Sequence, residues 1–146
     1  MSRRAAQRDI AQIVPPLSRS WHQRADTLLA EFGVSNSMAW CLIHLDRMGP
    51  AVRQIDLAQA VGITQPSIVR VLDQLEAAGL VTRAPDPQDR RSNHLILTGA
   101  GNAQCRLIEE RLVELRETMF DGISDSDIET TRRVLLALSD RVTGRS

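Results

Sequence analysis

Apolar residues recur every three or four positions through most of this chain, and the spacing changes only once, around residues 80 to 98. The first fourteen residues are polar and basic, with Ile10, Ile13 and Val14 as the apolar side of a short helical piece. Pro15 and Pro16 interrupt it and suit the first turn of a new, long helix, where a missing N–H is no loss. Leu17, Trp21, Ala25, Leu28 and Phe32 then mark one face of that helix, which Gly33 ends. Ser35 is placed to cap a second helix carrying Trp40, Ile43, Leu45 and Met48, closed by Gly49-Pro50. A short third helix reads from Gln54 to Val61 and stops at Gly62. Thr64 caps a fourth, from Gln65 to about Ala78, with Pro66 in its first turn and Gly79 behind it.

Then the period drops to two. Leu80 to Arg83 and His94 to Leu97 read as short strands, joined by a loop with two prolines, two aspartates and the adjacent Arg90 and Arg91. Helical spacing resumes after Thr98, with Ile108, Leu112, Leu115 and Met119 on one face. Asp121-Gly122 breaks it, and Ser124 caps a last helix expected to bury Ile128, Leu135, Leu138 and Val142. The expected fold is mainly α with a small β-hairpin wing. It is one domain over residues 1–146, with a winged helix-turn-helix at 33–98 and flanking helices at 1–32 and 99–146.

Residues 54 to 74, QIDLAQAVGITQPSIVRVLDQ, meet the demands of a helix-turn-helix position by position. Two short helices cross closely only over a small residue, here Ala58. The turn needs positive φ, and Gly62 supplies it. Leu57, Val61, Ile63, Ile68, Val71, Leu72 and Leu75 provide the inner faces. Thr64, Gln65, Pro66, Ser67, Val69, Arg70, Asp73 and Gln74 remain at the cap and outer face of the second helix. These amide, hydroxyl, methyl and guanidinium groups are the ones that read base edges in a major groove. Arg70 is the leading base reader; its competing partner is Asp73, three residues on along the same helix.

Charge changes this picture little. Eighteen Arg balance eighteen acids and there is no Lys, so net charge is zero and indiscriminate polyanion binding is not indicated. Residues 1–32 carry five Arg against three acids, and residues 99–146 seven against nine. Any phosphate or base contact therefore has guanidinium geometry. No apolar run is long enough to span a bilayer, and Arg3, Arg4 and Arg8 precede no signal-type segment, so a cytoplasmic location without a membrane is expected. Cys41 and Cys105 have no metal-ligand spacing and are too few for a disulfide framework. Neither a cofactor nor a metal is indicated, and no catalytic constellation emerges from His22, His44, His94 or the serines.

The stretch AQAVGITQPSIVRVLDQLEAAGLVTRAPDPQDRRSNHLILT, Ala58 through Thr98, resembles the MarR family of bacterial transcription regulators, most closely its SlyA-like branch. The wing carries that family's Asp-x-Arg-x5-Leu-Thr pattern as Asp89, Arg91, Leu97 and Thr98. The resemblance implies a homodimer joined through its N- and C-terminal helices, with pseudo-palindromic double-stranded DNA as partner. It implies that Arg90 and Arg91 enter a minor groove, where narrow A·T tracts attract guanidinium, and that Asp89 anchors the wing. It further implies a cleft for a small phenolic or aromatic carboxylate effector, which Trp21, His22, Trp40 and His44 would border. Surplus apolar surface on the outer helices agrees with a dimer.

Two other readings stay open. A thiol-based redox regulator would use a cysteine: Cys41 falls inside the second helix, an inert place, and Cys105 is the better candidate for exposure. A winged helix serving only as a protein-interaction scaffold would have no need of Arg90-Arg91 at the loop tip.

Overall fold

The computed structural model describes residues 1–144, which hold six α-helices and one three-stranded antiparallel sheet. The chain divides into two compact units, Met1–Val113 and Glu114–Ser146. No single helix among the described residues is long and apolar enough to cross a membrane.

The first unit opens with α1 (Arg3–Leu29), capped by the Ser2 hydroxyl, which accepts from Ala5 N–H. This corrects the expectation of a break at Pro15 and Pro16: both lie inside one helix. Two missing N–H groups leave the Ala11 and Gln12 carbonyls without helical partners. Residues 11 to 20 are all exposed, so water reaches those carbonyls, and proline's fixed φ is itself helical. The exposed run also means that Leu17 is uncovered, while Ala25 and Leu29 are the residues α1 buries. A short 3₁₀ turn (Ala30–Phe32) and Gly33 at φ 68° end the segment.

Helix α2 (Asn36–Met48) is capped by Ser35 as expected and is the centre of the core, burying Ala39, Cys41, Leu42, Ile43 and Leu45. Around it pack α3 (Gln54–Val61) and α4 (Gln65–Ala77). Strand β1 (Val52–Arg53) precedes α3, and β2 (Val81–Pro85) and β3 (Asn93–Leu97) follow α4 in the order β1-β3-β2. Two residues are too few to show a period, which is why β1 escaped the sequence reading. Strand β2 runs two residues further than expected because it is an edge strand, where Pro85 has no ladder bond to break. The register Val81↔Leu97, Arg83↔Leu95 and Val52↔Leu95 sets these five residues on one face of the sheet, and Val52, Val81 and Leu95 are buried there.

Helix α5 (Gly99–Phe120) begins against the sheet. Thr98 Oγ1 donates to Gly79 O (2.6 Å) and accepts from Gly101 N–H (3.0 Å), and Thr98 N–H donates to Leu80 O (3.1 Å). Ile108 and Leu112 are buried as their spacing implied, and so is Cys105, against the expectation that it would be exposed. Position 105 precedes Ile108 and Leu112 by three and seven, the same helical stripe, and its thiol points at Leu42 O (3.4 Å).

In the second unit, α6 (Asp125–Thr143) starts at the Ser124 cap, whose hydroxyl accepts from Asp127 N–H. The expected burial of Ile128, Leu135, Leu138 and Val142 is corrected: the first is half-buried and the other three are exposed, as is Val134. An amphipathic pattern identifies an apolar face but not what covers it.

Gly101 is fixed by contact rather than by φ. A Cβ there would collide with the Leu80 carbonyl oxygen and press on the Leu97 side chain. Gly101→Ala is expected to cost about 1–3 kcal/mol as backbone shifts to relieve the overlap. Urea unfolding at equilibrium checks it; an unchanged midpoint would show that α5 and the sheet are not held this closely.

Candidate DNA interface

The helix-turn-helix is built as its sequence demands. Ala58 is buried where α3 meets α4, and its carbonyl accepts from both Gly62 N–H (2.9 Å) and Ile63 N–H (3.1 Å). Gly62 takes φ 80° and ψ 33°, the left-handed conformation that closes α3. Thr64 Oγ1 then caps α4, accepting from Ser67 N–H (3.3 Å) and donating to Ser67 Oγ (2.9 Å). The Thr64 hydroxyl is thus occupied in holding the first turn, while the Ser67 hydroxyl serves there only as an acceptor. Ile68, Val71, Leu72 and Leu75 are buried, whereas Gln65, Pro66, Ser67, Val69, Arg70, Asp73 and Gln74 are all exposed.

The Arg70 guanidinium has no hydrogen-bond or ionic partner among the described residues, and the suggested pairing with Asp73 does not occur. Asp73 is taken instead by Arg83 of β2, whose Nη2 donates to Asp73 Oδ1 at 2.7 Å. The reason lies in the register: alternation puts Arg83 on the sheet face that looks toward α4, beside Val81. That alternation was visible in the sequence, as Val-Thr-Arg-Ala, and could have marked Arg83 as an inward residue.

The wing loop is held from within. Asp86 N–H donates to Ser92 O (3.0 Å), and Ser92 N–H to Asp89 O (3.0 Å). Asp89 Oδ1 accepts from Arg91 N–H (3.0 Å), so its carboxylate binds the loop backbone. Asp86 does more: Oδ1 accepts from Gln88 N–H (2.8 Å), and Oδ2 lies 3.2 Å from His94 Nε2 on β3. The sequence reading missed this second anchor, although an aspartate two residues before a free N–H is the signature of an Asx turn. The side chains of Arg90 and Arg91 are exposed at the tip and make no bond or ion pair among the described residues.

A cleft of about 400 Å³ is lined by His22 and Asp26 of α1, Trp40 and His44 of α2, and Val61 and Ile63 of the helix-turn-helix. The His22 ring stacks on Trp40, centroids 4.8 Å apart and planes 11° from parallel. Trp40 Nε1 donates to Asp26 Oδ1 (2.9 Å), which lies 3.7 Å from His22 Nε2. Three of the four expected pocket residues therefore come together; half-buried Trp21 is not among the lining residues. The described residues contain no group of three or more His, Cys, Asp or Glu able to hold a metal ion.

An exposed polar face on the second helix of a helix-turn-helix, with an arginine-tipped hairpin beside it, defines a winged-helix protein. Comparison with known proteins makes this specific. A family model described as MarR family matches residues 32–92. The crystal structure of transcriptional regulator PA3341 is 32% identical, covering 93% of this chain and 99% of its own, with a TM-score of 0.83. MarR-family regulators from Silicibacter pomeroyi (24% identity, 91% of this chain and 92% of that chain, TM-score 0.78) and Rhodococcus sp. RHA1 (23%, 90% and 93%, 0.77) share the fold. The chain belongs to the MarR family. It is a DNA-binding transcription regulator of that family, which comprises regulators rather than enzymes.

Two side-chain environments have measurable consequences. Burial pushes the Cys41 thiol up to about 12 and Cys105 to about 11, the latter with help from the Asp46 charge. Neither is a thiolate near neutrality, so both should resist a water-soluble alkylating reagent in the native protein and react once it is unfolded. Rapid native labelling of either would revive the redox reading. His44 titrates below its ordinary 6.5, first because burial disfavours the charged ring and then because Arg47 repels it. A lowered pKa in the fold means that the unfolded chain takes up the proton first. The neutral ring's contribution is complete above 6.5 and declines as pH falls below it. His44→Gln is therefore expected to flatten the decline of thermal stability between about pH 7 and pH 5. An unchanged slope would assign that decline to other groups.

Proposed function

We propose that the protein acts as a homodimer that reads pseudo-palindromic double-stranded DNA, with α4 in the major groove and the wing in the adjacent minor groove. The observation that carries this reading is the state of its arginines. Arg70 on α4, and Arg90 and Arg91 on the wing, are exposed and unengaged, while the aspartates near them are occupied in holding backbone or other side chains. Free guanidinium groups on two rigid supports are what bidentate guanine contact and minor-groove insertion require. Gln65 and Gln74 supply amides beside Arg70, Pro66 and Val69 offer apolar contact to thymine methyls, and Thr64 and Ser67 sit at the helix N-terminus, where phosphate is favoured.

Two apolar surfaces support the dimer. Ile10, Ile13, Val14 and Leu17 are exposed on α1; separately, Val134, Leu135, Leu138 and Val142 are exposed on α6. Contiguous apolar surface of this kind marks an interaction site. In a two-fold dimer the recognition helices would meet half-sites ~34–36 Å apart. The cleft at Trp40 suits a small aromatic effector, which could stack on the indole or the His22 ring and would touch Val61 and Ile63 on either side of the Gly62 turn. An aromatic carboxylate is the proposed class. A SlyA-like way of acting, by competition with other DNA-binding proteins, would need no effector.

Selection of bound sequences from random duplex DNA, at fixed salt, tests the reading. The wild type is expected to enrich a pseudo-palindrome with A·T-rich segments under the wings. Arg90→Ala/Arg91→Ala should lose those segments, and Arg70→Ala should lose ~1–3 kcal/mol of preference at one major-groove position. No enrichment, or equal behaviour of wild type and wing variant, would favour the protein-interaction scaffold.

A further inference from the structure

Arg83 is the one polar side chain among the described residues with a buried atom left unpaired: its Nε–H has no partner. The other two nitrogens of the guanidinium both face α4. Nη2 donates to Val69 O (3.3 Å) and Asp73 Oδ1 (2.7 Å), and Nη1 lies 3.9 Å from Glu76 Oε1. Residues 69, 73 and 76 follow one another along a single stripe of the recognition helix, two turns long. A group on the wing's own strand therefore bonds the reading helix at two points one turn apart, with a third carboxylate at ion-pair distance a turn further on.

A role in stability alone explains this poorly. An unpaired buried N–H is a cost, and an ion pair drawn partly out of water returns little net stability. Methionine would fill the same space on the inner face of β2 without either. What methionine could not do is fix direction. The planar guanidinium bonds a carbonyl and a carboxylate of α4 at once, so the helix cannot rotate or slide against β2 without breaking one of them.

We infer that Arg83 is a positioning residue that locks the recognition helix to the wing and so sets the spacing between the major-groove and minor-groove contacts. Asp73 then serves as the helix-side half of this clamp rather than as a base reader, and Arg70, one turn away on the open face, is aimed through it. The inference rests on the DNA-binding reading for its consequence but not for its geometry, and the two can be tested apart.

The geometric arm needs no DNA. Spin labels at Gln74→Cys and Gln88→Cys, in protein diluted with unlabelled chains, report the distance from α4 to the wing loop; buried Cys41 and Cys105 stay unlabelled. Arg83→Met and Asp73→Asn should each broaden the distance distribution, and Arg83→Lys should restore it only in part, since an ammonium lacks the fork. A lower melting temperature with the distribution unchanged would overturn the inference and leave Arg83 a packing residue. Should Arg83→Met fail to fold, Asp73→Asn, at an exposed position, gives the same reading. The DNA arm uses the selected operator and versions with one base pair added or removed between the helix and wing contacts. Wild type should discriminate against them by about tenfold or more, as against a mismatch, and Arg83→Met should cut that ratio by about threefold or more. An operator with an unaltered spacing ratio in Arg83→Met overturns the inference while keeping the regulator. Failure of the wild type to select any operator overturns the regulator, and the spin-label result still decides the clamp.

Discussion

Between Gly79 and Gly101 three elements are joined at one place, and the parts of the molecule proposed to meet DNA hang from it. Leu80 O accepts from Thr98 N–H, the Thr98 hydroxyl donates to Gly79 O, and the same hydroxyl caps the first turn of α5 through Gly101 N–H. Gly101 lies so close to the Leu80 carbonyl that no side chain fits. The end of the recognition helix, the start of the wing and the start of the long α5 helix are thereby fixed to one another through the backbone N–H and the hydroxyl of Thr98. These bonds lie within hydrogen-bond range, and they need no salt bridge that solvent could screen.

From this junction the interface is held progressively more loosely. The sheet continues the constraint outward through the Val81↔Leu97 to Pro85↔Asn93 ladder, and β1 adds a third strand on the other side of β3. Beyond the ladder, Asp86 and Asp89 take over, each binding backbone N–H groups of the loop. Past them only the side chains of Arg90 and Arg91 remain, with no bond or ion pair to the described chain. The carboxylates of the wing are turned inward and its guanidinium groups outward, an arrangement that suits a phosphate-rich partner even in a chain of zero net charge.

Most of the elements were legible because each has a local cause. The caps at Ser35, Thr64 and Ser124, the turn at Gly62 and the outward face of α4 follow from side chains within four residues of where they act. Errors arose where cause and effect are distant. Pro15 and Pro16 promised a break, but an exposed helix lets water satisfy the freed carbonyls. Cys105 is the better candidate for exposure of the two cysteines by sequence, yet it shares a stripe with Ile108 and meets Leu42, more than sixty residues away in sequence. Helical spacing offers Asp73 to Arg70 as a competing partner, but a strand ten residues on brings Arg83 to it instead.

Periodicity, caps and positive-φ glycines act over a single turn or strand, and they are enough to place the helix-turn-helix and the arginine-tipped loop along the chain. Tertiary structure alone decided which polar groups are spent within the fold and which are left for a partner. Packing β2 against α4 engages Arg83 and Asp73, and closing the wing engages Asp86 and His94, leaving Arg70, Arg90 and Arg91 unengaged. A charged side chain's pairing depends on which elements the core brings within about 3 Å of it, and hydrogen-bond reach is set by the packed chain rather than by sequence spacing.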